Sequence, residues 1–138
     1  MKLSNNFDLK ELVPKDVYQN WGTESILFID GRIINIIQRI RDISGCVITI
    51  NNWHIGGDLQ FRGLRPWNCT TGALSSQHKF GRAVDFSSSF MTTLSFRDLI
   101  SVHQSELRLL GLTRIELNTP NWVHIDCAWT GIEDIVFF

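Results

Sequence analysis

The sequence predicts an α+β fold: a small antiparallel sheet with helices packed on one side. Three observations predict it. Isoleucines recur at helical spacing over residues 33–43, a second apolar stripe runs over 96–110, and two short alternating segments, 113–117 and 122–127, flank a turn. A chain of 138 residues fits one domain, because domains usually take about 100–200 residues, so 1–138 reads as a single unit. With 43% hydrophobic residues and only three prolines, it can bury a core without disulfide support.

Charge narrows the function. Thirteen basic residues against 14 acidic ones leave a formal charge of −1, which offers no excess of cations for nucleic acid or an anionic membrane. No stretch approaches the roughly 20 apolar residues of a membrane span. The opening, Met1 to Asp8, lacks the apolar centre of a signal peptide, so a soluble protein made in the cytoplasm is expected, and a monomer. Cys46, Cys69 and Cys127 share no C-x-x-C spacing and read as reduced, packed thiols.

In chain order, Leu9 to Val13 is a short lead-in closed by Pro14, followed by a variable run to Trp21 and Gly22. From Asp30, an N-cap, the spacing of Ile33, Ile34, Ile36, Ile37, Ile40 and Ile43 predicts a helix that Gly45 stops. The β-branched run Cys46 to Ile50 predicts a strand packed on it. Residues 51–77 hold four glycines and Pro66 and show no period; a loop this much longer than the usual 4–6 residues is usually functional. A second helix is predicted from Ser95 to Gly111, with Phe96, Leu99, Ile100, His103, Leu107 and Leu110 inward. Thr113 to Leu117 and Trp122 to Cys127, joined through Asn118-Thr119-Pro120-Asn121, predict an antiparallel hairpin.

Alternation in the last strand sets Trp122, His124 and Asp126 on one face, with Val123, Ile125 and Cys127 on the other. A three-residue turn would place Glu116 opposite His124 and Arg114 opposite Asp126. Upstream, His78 and Asp85 stand seven positions apart around the small residues Gly81 and Ala83. His and Asp are ordinary ligands of a divalent cation, and three protein ligands leave a position open for chemistry. His78, Asp85 and His124 would supply those three, but on spacing alone packed polar side chains are the better explanation of the same residues.

A longer pattern discriminates. Ser76-x-His78-x-x-Gly81-x-Ala83-x-Asp85 resembles in full the S-x-H-x-x-G-x-A-x-D motif of the zinc D-alanyl-D-alanine carboxypeptidases and phage endolysin peptidases, a group that includes the hedgehog amino-terminal domain. Trp122-Val123-His124-Ile125-Asp126 resembles the W-V-H-x-D strand of phage and bacterial members, and Leu3 to Leu12 is similar to their "LSxNFTLxEL" opening.

The resemblance implies a hedgehog-type fold, zinc held by His78, Asp85 and His124, and hydrolysis of D-amino-acid peptide bonds in peptidoglycan stem peptides. It makes Arg62, in Phe61-Arg62-Gly63, a binder of a substrate carboxylate, with Arg65 the rival, and Ser76 a further substrate contact. Many members carry the catalytic Glu three residues before the last His, where this chain has Asn121. A subset places it upstream, which selects Glu116; Asp126 is the alternative base or a partner that orients His124. Trp122, Trp53 and Trp67 are candidate cleft walls, whereas His103 reads as packing and His54 as a solvated loop residue. The phage-type likeness fits action after host lysis or from a virion. The competing expectation is a metal-binding or virion-associated module without turnover.

Overall fold

The computed structural model of the chain describes residues 1–138 and begins with a helical turn that the sequence pattern hides. Asp8 accepts the Lys10 amide and Glu11 reaches back to the Asp8 amide, a capping box that closes a 3₁₀ turn at Leu9–Glu11. Pro14 then opens helix α1, Lys15–Trp21, which runs into a 3₁₀ stretch, Gly22–Phe28. No residue of α1 is buried, so no apolar stripe announces it.

Helix α2, Gly31–Ser44, has the predicted ends. The Asp30 carboxylate accepts the Arg32 amide at 3.0 Å, and Gly45 closes the helix at φ +64°, a conformation that glycine adopts without strain. Ile33, Ile36, Ile37 and Ile40 are fully buried.

The predicted strand over Cys46 to Ile50 does not form. The run bends at Cys46 and Ile50 and pairs only through one bridge between Thr49 and Ser87, and Val47 faces solvent. β-branched residues favour an extended chain, whereas a ladder also needs a partner that stays alongside. Residues 51–77 are the predicted long loop, with 3₁₀ turns at Trp53–Ile55 and, at its end, Gln77–Phe80.

Strand β1, Ala83–Phe86, follows; all four residues are buried, so it lacks the alternation that would mark it. The predicted second helix is two: α3, Thr93–Val102, and α4, Gln104–Leu109. Helical geometry lapses at His103, with φ −99° and ψ 16°. Phe96, Ile100 and Leu107 stay buried across the break, while His103 is half-exposed and 3.6 Å from Glu106, so it is not a packing residue.

Strands β2, Arg114–Glu116, and β3, Val123–Asp126, form the predicted antiparallel hairpin. Strand β4, Val136–Phe137, adds to β2 in parallel, which makes the sheet mixed rather than purely antiparallel. The strand order is β1-β3-β2-β4. A two-residue strand is too short to show a period, and this one escaped the sequence pattern.

The core joins the inner faces of α2, α3 and α4 to Val84, Phe86, Ile115, Val123 and Ile125 of the sheet. All three cysteines are free thiols; Cys127 is buried, and burial pushes its thiol up to about 12, whereas Cys46 and Cys69 are only half-buried. No helix is long and apolar enough to cross a membrane.

Ile125 sits between Val84 and Ile115 in the middle of this core. Ile125→Ala is expected to cost about 2–5 kcal/mol of unfolding free energy. Leu109→Ala, at a side chain 90% exposed, should stay within about 0.5 kcal/mol. Urea unfolding measures both, and equal losses would contradict this placement of the core.

Candidate metal centre

The register of β3 between β1 and β2 sets Asp85, His124 and Glu116 abreast in one row. Ala83, Asp126 and Arg114 form the next row. Alternate residues of a strand point to the same side, so both rows project from the face opposite the apolar core. The cross-strand pairs Glu116 with His124 and Arg114 with Asp126 are those that the three-residue turn requires.

His78 reaches the same place from the turn Gln77–Phe80. The turn closes at Gly81, where φ is +65° and an added Cβ would lie 1.8 Å from the Phe28 carbonyl oxygen. Only glycine meets both conditions, which gives the motif's Gly81 a physical reason. His78 is 1% exposed, and its Nδ1–H donates to the Gly63 carbonyl at 2.7 Å. That bond fixes the tautomer and leaves the Nε2 lone pair inward. Nε2 lies 3.3 Å from His124 Nδ1 and 3.3 Å from Asp85 Oδ1; the last two atoms are 2.7 Å apart.

Each donor is held from behind. Arg65 is buried and donates through Nη2 to Asp85 Oδ2 at 2.8 Å, while its Nε donates to the Phe61 carbonyl at 2.6 Å. Asp126, fully buried, accepts Arg114 through Nε at 2.9 Å and Nη2 at 2.7 Å, the Ala128 amide at 3.0 Å, and His124 Nε2–H at 3.3 Å. Its acceptor sites are thus used inside the protein.

Protonation follows from these contacts. Burial lowers the pKa of His78, which the nearby Asp85 offsets only in part, so its ring is neutral and a donor of electron pairs. Burial alone would raise the Asp85 pKa, yet the hydrogen bond from His124 and the positive charge of that ring hold it well below the usual carboxylate range. For His124, burial works against the charged ring, but Asp126 and Asp85 prevail and raise it to about 9. The metal-free centre therefore holds an imidazolium between two carboxylates. His78, Asp85 and His124 form a group that could hold a metal ion, with its donor atoms already converged.

The remaining predicted residues divide. Glu116, Ser76 and Trp122 line the same cleft, about 660 Å³, together with all three candidate ligands. Arg97 bonds the backbone carbonyl of Glu116 at 3.2 Å and leaves its carboxylate without a protein partner. Arg62 opens into an adjoining depression shared with Asp85 and Trp122, where its Nη1 donates to Ser87 Oγ at 2.8 Å; burial lowers its pKa. Trp53 is elsewhere, tied through Nε1–H to the Val13 carbonyl at 2.9 Å and packed near Tyr18. Trp67 lines a different pocket. His54 is half-buried rather than solvated.

Two contributors carried no sequence signal for the parts they play: the Gly63 carbonyl, because any residue supplies one, and Phe138, whose ring meets His124 edge-on and lies under Arg114. Compared with protein-family models, curated proteins and solved structures, the chain matches none.

The His124 proton and a metal ion compete for one nitrogen, so affinity for a divalent ion should rise about tenfold per pH unit below pH 9. In the metal-free protein the sign reverses. A pKa raised from 6.5 to about 9 stabilises the fold fully below pH 6.5, and that stability is lost as pH climbs to 9. Calorimetric metal titrations in buffers of different ionisation enthalpy, with unfolding curves from pH 6 to 9.5, check both. Asp126→Asn should weaken metal binding by about 10–100-fold.

Proposed function

We propose that the chain is a zinc metallopeptidase that cleaves D-amino-acid-containing peptide bonds of bacterial peptidoglycan. The observation that carries the reading is the convergence of His78 Nε2, Asp85 Oδ1 and His124 Nδ1 in a cleft that also exposes an unengaged carboxylate, Glu116. The motif resemblances supply the substrate class and the hedgehog-type fold.

Zinc suits the donor set. Neutral imidazole and carboxylate are its ordinary ligands, and a tetrahedral ion with bonds near 2.0–2.1 Å spaces its ligands about 3.3–3.4 Å apart. Two of the three separations here are 3.3 Å, and the third, 2.7 Å, is a hydrogen bond whose proton an ion would replace. When bound, zinc supplies Lewis-acid polarisation of a carbonyl oxygen and lowers the pKa of a water toward about 7.

The chain's own groups do the rest. Glu116, facing His124 across the hairpin, is the general base: its free carboxylate takes the proton of the attacking water and returns it to the leaving amine. Asp126 cannot serve in that way while Arg114, Ala128 and His124 occupy its oxygens, so it orients the His124 ring. Arg62, beside Asp85 and Trp122, binds a substrate carboxylate, and Ser76 lines the entrance. Arg65 is committed to Asp85 and is a holder of that ligand rather than of substrate.

Purified protein incubated with intact peptidoglycan, with zinc and separately with a chelator, should release fragments only with zinc. Their masses identify the bond cut, terminal or internal. Glu116→Gln should bind zinc as before and lose at least about 100-fold in cleavage rate. Folded, zinc-loaded protein that releases nothing from several wall chemistries would instead be a binding module without turnover.

A further inference from the structure

A second cavity shares one wall residue, Arg65, with the cleft of the metal centre. It encloses about 460 Å³, and two edge-to-face aromatic pairs line it: Trp21 with Phe28, ring centroids 5.1 Å apart, and Trp67 with Phe80, 5.0 Å apart. Leu64 adds a buried aliphatic wall. All four aromatic residues are exposed, from 37% at Phe28 to 64% at Trp67, so an apolar surface faces water. Surfaces of that kind on a folded domain mark places where something binds.

Two cations line this apolar setting, and one of them has no carboxylate partner. Lys79 follows His78 in the same turn, and its side chain lines the second cavity. The residue is 7% exposed. Its Nζ donates to the Trp67 carbonyl at 3.3 Å, and no carboxylate lies within ion-pairing distance of it. Arg65, the other cation on the wall, is already spent on Asp85 and the Phe61 carbonyl. Lys79 thus presents N–H donors and a full positive charge that nothing in the fold neutralises. An ammonium taken from water without an anion is costly to keep, and an anionic partner removes that cost.

We propose that this cavity is a binding site for an amphipathic monocarboxylate, its apolar body between the two aromatic pairs and its carboxylate on Lys79. The site is distinct from the metal centre, from which Arg65 separates it, and it stands whether or not the chain is a peptidase. Apolar walls with one placed charge are the usual makeup of a small-molecule site. The ammonium selects the sign of the ligand, and the rings select its body.

Octanoate is the probe, with octylammonium and octanol as counterparts of the same chain length. Titrations are read by calorimetry and by the fluorescence of Trp21 and Trp67, in chelator so that no metal-held carboxylate contributes. Octanoate should bind about tenfold or more tightly than either counterpart, since the difference is one charge-assisted hydrogen bond. Lys79→Met keeps the apolar stem and should erase that preference while octanol binds as before. Removal of an unneutralised charge is expected to leave its unfolding temperature unchanged or higher. Trp67→Ala, at an exposed ring, should weaken octanoate and octanol alike. The proposal is overturned if octanoate binds no more tightly than octylammonium, if none of the three binds, or if Lys79→Met retains the preference. Should Lys79→Met fail to fold, the three-ligand comparison on the unaltered protein still decides.

Discussion

The position of β3 between β1 and β2 is the constraint on which the rest depends. Its four residues, each buried, pair with both neighbours, so one register determines two layers at once. The odd positions, Val123 and Ile125, complete the core; the even ones, His124 and Asp126, build the polar centre. A slip by one residue would turn His124 and Asp126 into the isoleucine layer of α2 and set Val123 and Ile125 on the cleft. Burial of the apolar face therefore enforces the chemistry of the other face, with no separate device needed to hold it.

Around that row the fold supplies a second ring of contacts that leaves few polar groups to chance. The Gly63 carbonyl determines which nitrogen of His78 faces inward, Arg65 takes one oxygen of Asp85 and leaves the other free, and the Arg114–Asp126 pair clamps the far side of His124. The alternation of opposite charges lets the cluster tolerate burial. The protonated His124 ring sits between two carboxylates, each with its own arginine. Glu116 stands outside this accounting as the carboxylate of the row with no protein partner.

Much of this was legible in the residues. Helix α2 was readable at both ends because Asp30 and Gly45 do specific jobs that other residues do badly, and the inward faces of the hairpin strands because Ile115, Val123 and Ile125 alternate with polar residues, while the register followed only on the condition of a three-residue turn. Legibility failed where local pattern and tertiary context part. Helix α1 buries nothing and shows no stripe, β1 is buried on both faces and shows no alternation, and β4 has two residues. Cys46 to Ile50 has the composition of a strand, but it bends at both ends and bridges only to Ser87. In the site, ligand chemistry alone offered His78, Asp85 and His124 only as the weaker reading, and the motif resemblance made them a firm set, because spacing in sequence says nothing of a turn and two strands meeting. The Gly63 carbonyl is a backbone atom, and no side-chain pattern encodes it.

The long loop has a consequence beyond its contacts. Its roots are fastened where it leaves and where it returns: Asn51 and Leu64 donate to the Glu11 and Leu12 carbonyls, and Arg65 donates to that of His78. Between Trp67 and Ser75 nearly every residue is exposed. Lengthening a tethered segment costs only a logarithm of its size in chain entropy. Gly72 apart, whose φ of +79° and closeness to Arg65 tie it down, the stretch over 68–75 is therefore a region where residues can be added, removed or exchanged while His78 and Asp85 keep their places. The rim of the cleft can change while its floor does not, so what enters is free to diverge from the three donors that could hold a metal ion.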